Sequence, residues 1–281
     1  LIPVEEYAQR RERAAALAAE AGYDVLVGTG TEADASVVRY FSAYWPLFAM
    51  GGVAIAPSGK SALRGGLESA EFAKERGVID NIHLMKEYRE TADPEYPGVA
   101  GVGYREVFES IGVTDPARIG VAGWLCTNMA MYEGLREAFP EAEIVNADEL
   151  TASMRANKSP AELACLREGF RLGELALAAM LEAMKPGMTE LELAGIAVAE
   201  LYANGAEGEA HTVYSFGGRR TTNAISRSTH EPLRAGEIVQ IDVGGRIDGY
   251  SPSVGRPVCL GKMSERQRKL IEFCRDMHYR T

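Results

Sequence analysis

The sequence has few of the residues that mark metal or redox chemistry by themselves. Its 281 residues include four cysteines and four histidines. No two cysteines stand in a CxxC spacing and no two histidines in an HExxH spacing, so a ready-made zinc motif is absent. We expect the cysteines to be buried free thiols in a reducing cytosol, which predicts a cytoplasmic protein.

The sequence also lacks a net positive charge and long apolar stretches. The formal net charge of −10 argues against a nucleic-acid partner, because phosphate binding requires a basic face. No apolar run approaches the roughly 20 residues of a membrane helix, and no signal-peptide segment precedes the first helical pattern. An apolar fraction of 46% and a charged fraction of 25% are typical of globular proteins, and the length suffices for two domains.

The first half of the sequence alternates helical and strand-like patterns. Residues 4–21 form an amphipathic pattern, and Gly22 supplies the glycine that commonly ends a helix. Strands are predicted over residues 24–28, 52–56, 78–84, 118–122 and 143–146, and further helices over 68–75, 104–111 and 128–139. This alternation predicts a layered α/β domain around a mixed, largely buried sheet, with residues 87–103 as a surface loop.

A change of pattern in the middle of the sequence predicts a domain boundary. We place the first domain over residues 1–152 and the second over residues 153–281. Ser159, Pro160 and Glu162 have the N-cap, first-turn and capping-box chemistry that begins a helix. The elements predicted after this point are helices over residues 160–184 and 190–203, strands over 212–216, 238–243 and 254–260, and a charged helix over 264–280.

Four short segments of the second half are informative through their order and spacing. They are Lys-Ser-Pro-Ala-Glu-Leu at 158–163, Pro-Gly-Met-Thr-Glu at 186–190, Leu-Arg-Ala-Gly-Glu-Ile-Val at 233–239, and a glycine-rich hairpin at 240–256. Together they resemble the catalytic domain of the creatinase, prolidase and methionine aminopeptidase superfamily. The first half is similar to the accessory domain of that family, with residues 38–44 similar to its early turn motif.

The resemblance implies the pita-bread fold, an α+β domain built from two related units of helices followed by strands. The sequence holds the first unit alone, and the family places a histidine and two glutamates of the site in the second. We therefore expect an incomplete domain in a truncated chain. The family also implies a homodimer, in which the accessory domain of one subunit reaches the partner's site and Arg39 is a candidate substrate contact.

The resemblance further implies two divalent metals held by two aspartates eleven positions apart. Asp242 occupies the first position, but Ser253 occupies the second. Such metals bind carboxylate oxygens, whereas serine offers a neutral hydroxyl. The family's nearby histidine position is Ile225. We expect no cofactor and a polar or substrate-binding role for Asp242; a single divalent metal at Asp242 is the alternative.

Two histidines lie near these segments. His230 is the candidate proton carrier, because the ordinary pKa of histidine is close to neutrality. It replaces the family histidine only if the loop over residues 222–232 is rebuilt, and a structural role for His230 is equally open. We expect His211, which precedes a predicted strand, to be structural.

Three residues of this half are candidate substrate contacts. Arg227 and Arg256 suit a substrate carboxylate, because guanidinium binds carboxylate in a bidentate manner. Tyr250, in the hairpin, is a third candidate. Surface salt bridges for the arginines and simple packing for the tyrosine are the alternatives, and Asp248 is expected to be a turn residue.

The leading functional hypothesis is a creatinase-like or Xaa-Pro-dipeptidase-like hydrolase. It would cleave an amide or amidine-type C–N bond in a small carboxylated substrate or dipeptide, without the dinuclear metal site. Two alternatives stay open. One is a metal-dependent Xaa-Pro peptidase with a rearranged site, and the other is a pita-bread module that binds peptides without cleaving them.

Overall fold

The computed structural model describes residues 2–48, 50–89 and 101–281. By its contacts the chain divides into two compact units, Ile2–Lys158 and Ser159–Thr281. The division falls just after the helix Asp148–Ala156. The predicted boundary between residues 152 and 153 lies within that helix. Each unit has its own sheet and helices.

The first unit is built on a six-stranded mixed sheet in the order β4-β3-β2-β1-β5-β6. The strands are β1 (Val25–Thr31), β2 (Met50–Ile55), β3 (Ser61–Gly65), β4 (Ile82–Leu84), β5 (Arg118–Ala122) and β6 (Glu143–Asn146). β2 runs antiparallel to β1 and β3, whereas β5 runs parallel to β1 and β6. The predicted mixed α/β sheet is therefore confirmed.

Helices cover both faces of this sheet. They are α1 (Val4–Glu20), α2 (Ser36–Ser42), α3 (Ala70–Arg76), α4 (Tyr104–Ser110), α5 (Met129–Ala138) and α6 (Asp148–Ala156). Along β1, Val25 and Val27 pack in the cluster that includes Phe108, whereas the intervening Leu26 packs in the cluster that includes Phe41. Successive strand residues point to opposite faces, so the first residues of β1 are apolar on both faces.

Three elements of this unit differ from the sequence prediction: α2, β3, and β4, which begins at Ile82 rather than at residue 78. Residues 36–42, which include most of the expected turn motif, form α2, and the chain turns only afterwards, where Ala43 adopts a left-handed conformation with φ 62°. Strand β3 was not predicted, because its Arg64 is charged yet wholly buried. Most of the expected loop over residues 87–103 lies outside the described residues.

The second unit contains two helices followed by a three-stranded antiparallel sheet. Its elements are α7 (Pro160–Ala183), α8 (Glu190–Ala203), β7 (Tyr214–Gly217), β8 (Ile238–Val243), β9 (Val254–Cys259) and α9 (Glu265–His278). The predicted capping box is present, with the Ser159 N–H donating to Glu162 at 2.7 Å and the Glu162 N–H donating to Ser159 Oγ at 3.2 Å. The bounds of β8 match the prediction, and the α+β class of this unit is confirmed.

Strand β8 has two different faces. Val239, Ile241 and Val243 are buried, whereas Gln240 and Asp242 between them are half-buried. The apolar face lies under α7, where the backbones approach so closely that a Cβ on Gly173 would lie 3.1 Å from the Val243 carbonyl oxygen. The other face carries Gln240 and Asp242 beside Tyr214 and the buried Phe216 of β7. Among the helices of the described residues, none is long and apolar enough to cross a membrane.

Candidate functional site

Asp242 lies near the end of β8, in the central strand of the small sheet. It stands opposite Tyr214 of β7 and opposite Gly255 of β9. Directly opposed residues share a face of the sheet, so Tyr214 flanks the carboxylate on one side. On the other side Gly255 has no side chain, and a Cβ there would lie 3.7 Å from the Asp242 carboxyl carbon.

His211 is the side chain that the fold brings to this carboxylate. Its Nε2 lies 3.5 Å from Asp242 Oδ1, and its ring centroid lies 5.2 Å from that of Tyr214. Within the described residues, neither His211 Nε2 nor Asp242 Oδ1 has a hydrogen-bond partner, although both atoms are buried. We expected His211 to be structural, but the structure places it against the one family aspartate of the sequence.

The backbone fixes which nitrogen of His211 carries a proton. His211 Nδ1 lies 2.8 Å from the carbonyl oxygen of Thr212, which can only accept, so Nδ1 is the donor. In the neutral ring Nε2 therefore presents a lone pair. That lone pair and Asp242 Oδ1 are two neighbouring acceptors, and the pair is suited to a proton or a cation.

Ser253 lies just before β9. The register pairs Val243 with Val254 and Asp242 with Gly255, which puts Ser253 diagonally across from Asp242 on the same face. Ser253 is exposed and offers one hydroxyl where the family places a carboxylate. The dinuclear arrangement implied by the resemblance is therefore not supported by these two side chains.

His230 lies in the segment that leads to β8, and its side chain is exposed. Its backbone neighbours are firmly held. The Thr229 N–H donates to Glu190 at 2.9 Å, and the Glu190 N–H donates to the Glu231 carbonyl at 3.0 Å. Within the described residues, no hydrogen bond or ion pair joins His230 to Asp242. The proposed proton carrier is thus an exposed side chain on a fixed backbone.

Within the described residues, no ion pair joins either candidate arginine to Asp242. Arg256 stands opposite Ile241, so its position belongs to the other face of the sheet, and its Nη1 donates to the Gly255 carbonyl at 2.7 Å. The Arg227 side chain is exposed, and its carbonyl accepts a hydrogen bond from Arg220. Substrate binding by either arginine stays a prediction.

Tyr250 lies in the hairpin that joins β8 and β9. Its hydroxyl donates to Glu162 Oε1 at 2.7 Å, and the Glu162 side chain is buried at the start of α7. Asp248, with φ 48°, turns the chain, and its N–H donates to Glu207 at 2.9 Å. These contacts give Tyr250 an anchoring role, and its contact with substrate stays a prediction.

Arg39 belongs to the first unit. Its guanidinium carbon lies 4.1 Å from the centroid of the Trp45 ring, a cation–π contact at the end of α2. The predicted contact of Arg39 with substrate stays a prediction.

A buried carboxylate that the sequence analysis missed organises this part of the second unit. Glu190, 1% exposed at the first turn of α8, accepts hydrogen bonds from three residues. The donors are the Gly217 N–H at 3.1 Å, Arg220 Nε at 3.2 Å, and the N–H and hydroxyl of Thr229 at 2.9 Å each. Its place after Thr189 was visible in sequence only as helix-start chemistry, so nothing marked it as a connection to distant segments.

The donor set available to a metal is small. Within the described residues, no group of three or more His, Cys, Asp and Glu side chains is placed to hold a metal ion. His211 and Asp242 offer two donors, one nitrogen and one oxygen, on one face of the sheet.

An α/β domain followed by two capped helices and a hairpin carrying Asp242 defines the class of two-domain proteins that the sequence resembled. Residues 10–157 match the family described as Creatinase/Prolidase N-terminal domain, and residues 164–281 match Metallopeptidase family M24. The chain belongs to the creatinase and Xaa-Pro dipeptidase superfamily, whose catalytic domains have the pita-bread fold.

Individual relatives are distant and longer. An Xaa-Pro dipeptidase of Pyrococcus furiosus is 23% identical over 236 residues, covering 84% of this chain and 61% of the relative. A creatinase of Bacillus sp. is 25% identical over 152 residues, covering 52% and 37%. The chain thus spans less than two thirds of either relative's length.

Solved structures support the fold. The prolidase of Pyrococcus horikoshii OT3 superimposes with a TM-score of 0.76 at 20% identity, over 94% of this chain and 68% of that one. The X-Pro aminopeptidase of Thermotoga maritima gives 0.75 at 18% identity, over 92% and 67%. At such identities the likeness shows the fold alone.

Proposed function

We propose that this protein hydrolyses a C–N bond, of amide or amidine type, in a small carboxylated substrate such as a dipeptide. The observation that carries the proposal is Asp242, paired with His211 on the open face of the β7–β9 sheet, within the domain that matches the M24 family. Two relatives, an Xaa-Pro dipeptidase and a creatinase, supply the substrate class.

We further propose that the reaction proceeds without the dinuclear metal pair of the family. The support is the pair of changed positions, Ser253 for the second aspartate and Ile225 for the nearby histidine. Replacing the second aspartate by a serine removes a full negative charge from a site that binds two divalent cations in the family. A metal-dependent peptidase with a rearranged site remains the alternative.

His230 is the proposed proton carrier. Its neighbours Thr229 and Glu231 are tied to Glu190, so the imidazole is presented to solvent from a fixed backbone. The arginines 227 and 256, together with Arg39 and Tyr250, are proposed to orient the substrate. The homodimer and the cytoplasmic location also stay proposals.

The test is an assay of the purified full-length protein against Xaa-Pro dipeptides and creatine, with metal content measured on the same sample. We expect turnover, and Asp242→Asn should lower kcat/KM at least about 100-fold, because a site carboxylate is lost. Asp276→Asn, an exposed position on α9, is the matched control and should keep full activity. Tight peptide binding with no turnover would instead favour the non-catalytic module.

The proton carrier is tested separately. His230→Asn should lower kcat by about 100-fold or more, the usual contribution of a general acid–base group, and should remove one limb of the pH–rate profile. His278→Asn on the exposed face of α9 is the control. Unchanged kcat and an unchanged profile in the His230 variant would show that another group moves the proton.

A further inference from the structure

We propose that Arg220 is a positioning residue for the hydrolytic site. It holds the beginning of residues 226–231, the segment that carries the proposed substrate contact Arg227 and the proposed proton carrier His230. The proposal rests on the proposed function and adds to it the group that fixes Arg227. Arg220 acts through this segment and does not itself contact the substrate.

The guanidinium of Arg220 joins two parts of the second unit. Its Nε donates to Glu190 Oε1 at 3.2 Å, and its Nη2 donates to Ser226 Oγ at 2.9 Å and to the Arg227 carbonyl oxygen. The side chain of Glu190 is 1% exposed and that of Arg220 is 29% exposed. The arginine therefore ties the segment to the buried carboxylate at the start of α8.

Ser226 and Arg227 depend on this arginine for their place. Within the described residues, every hydrogen bond that these two residues make comes from Arg220, and no ion pair holds the exposed Arg227 side chain. The preceding Ile225 is 83% exposed, so packing does not fix the chain there either. Without Arg220, the backbone around Arg227 would therefore lose its fixed position.

The other half of the segment is held independently of Arg220. Thr229 donates its N–H and its hydroxyl to Glu190 Oε2 at 2.9 Å each. Loss of the contacts from Arg220 should therefore displace Arg227 and leave His230 close to its place. We accordingly expect these contacts to affect substrate binding more than proton transfer.

The shape of arginine suits this task and suggests the variants. A guanidinium directs several N–H groups in a fixed planar fork, whereas a lysine ammonium is a point charge on a flexible chain. Arg220→Lys keeps the charge beside Glu190 but cannot make all the contacts together. Ser226→Ala removes one segment contact and leaves the ion pair with Glu190 intact. Arg219→Lys is the matched control, because the exposed Arg219 side chain makes no hydrogen bond or ion pair within the described residues.

The test is steady-state kinetics of the purified full-length protein with an Xaa-Pro dipeptide. We expect Ser226→Ala to raise KM about five-fold and Arg220→Lys about ten-fold, with kcat changed less than about two-fold, because binding rather than chemistry is weakened. Arg219→Lys should behave as the unchanged protein. In an Arg227→Gln background, Ser226→Ala should raise KM no further, because both changes remove the same interaction.

A second measurement does not depend on turnover. It is the rate of trypsin cleavage after Arg227 in the folded protein, read by mass spectrometry and divided by the rate for a peptide of the same sequence. The rate should be about five-fold higher in Ser226→Ala, because a released segment opens more often, and unchanged in Arg219→Lys.

The outcomes separate this proposal from the proposed function. Normal turnover with an unchanged KM in Ser226→Ala and Arg220→Lys would overturn the positioning role and leave the function standing. A further rise of KM in the Arg227→Gln background would also overturn it, because Arg220 would then act elsewhere. Absence of turnover in the unchanged protein counts against the function; the trypsin rates then decide, since faster cleavage supports the hold on the segment and equal rates overturn it. Ser226→Ala decides alone if Arg220→Lys fails to fold, as judged by thermal melting.

Discussion

At the scale of single residues, Glu190 connects more of the second unit than any motif in the sequence indicated. Its carboxylate holds β7 through Gly217, the following turn through Arg220, and the segment before β8 through Thr229. Four donors around one buried carboxylate compensate for the cost of removing the charge from water. Any loss of this charge leaves several donors without a full partner.

Glu190→Gln should therefore lower the free energy of unfolding by about 2–4 kcal/mol, because one oxygen acceptor becomes a donor and Arg220 loses its counter-ion. The measurement is urea unfolding followed by circular dichroism. Glu192→Gln, two positions later on the exposed side of α8, keeps its capping function and should change stability by less than about 0.5 kcal/mol. Equal effects of the two changes would contradict the role of Glu190.

Cys165 illustrates a residue whose burial decides its reactivity. Burial, with the nearby negative charge of Asp248 as a smaller cause, raises the pKa of its thiol to about 11. The reactive thiolate is therefore scarce below that pH. At pH 8 we expect iodoacetamide to modify the exposed Cys274 while Cys165 stays unmodified in the folded protein, as read by peptide mass spectrometry. Comparable rates for the two thiols would contradict this expectation.

The site residues show which features the sequence could predict and which it could not. Asp242 was identified because it lies in a recognisable hairpin. His211 was not linked to it, because that link depends on the register that sets Tyr214 opposite Asp242. Thirty-one positions separate the two residues, and no local pattern fixes the pairing of strands so far apart.

At the scale of elements, the contact of α7 with the small sheet depends on two glycines. A Cβ on Gly169 would lie 2.6 Å from the Gly245 carbonyl oxygen, closer than side-chain carbons come to such atoms. Gly169→Ala should therefore destabilise the protein by about 1–3 kcal/mol, since helix and hairpin must move apart. Urea unfolding measures the change.

The matched control lies in the neighbouring helix. Gly195 in α8 has open space around its Cβ position, so Gly195→Ala should stabilise by about 0.5–1 kcal/mol through helix propensity. Opposite signs for the two glycine changes are the expected result. If Gly169→Ala also stabilises the protein, the close packing of α7 against the hairpin is wrong.

Elements were predictable where local chemistry was strong. The capping box at Ser159 and the alternation along β8 located α7 and β8 closely, because caps and two-residue periodicity act over a few residues. Strand β3 was not predicted from the sequence, because its Arg64 is buried by long-range packing against Tyr88 and two carbonyl groups. Tertiary contacts of that kind leave no signal in a short segment.

At the scale of the whole molecule, the two-domain class was within reach of the sequence, because each half had its own pattern of elements. The oligomeric state could not be predicted from these patterns, and the homodimer is a proposal. We expect sedimentation equilibrium to give twice the chain mass of 30.4 kDa. The first unit exposes Leu125 almost fully and Met129 by 72%, and such apolar surface is commonly covered by a partner. A monomer at micromolar concentration would contradict the proposal.

The two-faced character of β8 has a consequence for how such a protein changes over generations. Val239, Ile241 and Val243 specify packing under α7, whereas Gln240 and Asp242 between them are half-buried on the opposite face. Replacements on that opposite face therefore change the reactivity of the site with a small effect on the free energy of unfolding. Sequence changes that alter the chemistry accumulate more easily there. Ser253 is a substitution of this kind, because it lies on the same face as Asp242 and outside the core under α7.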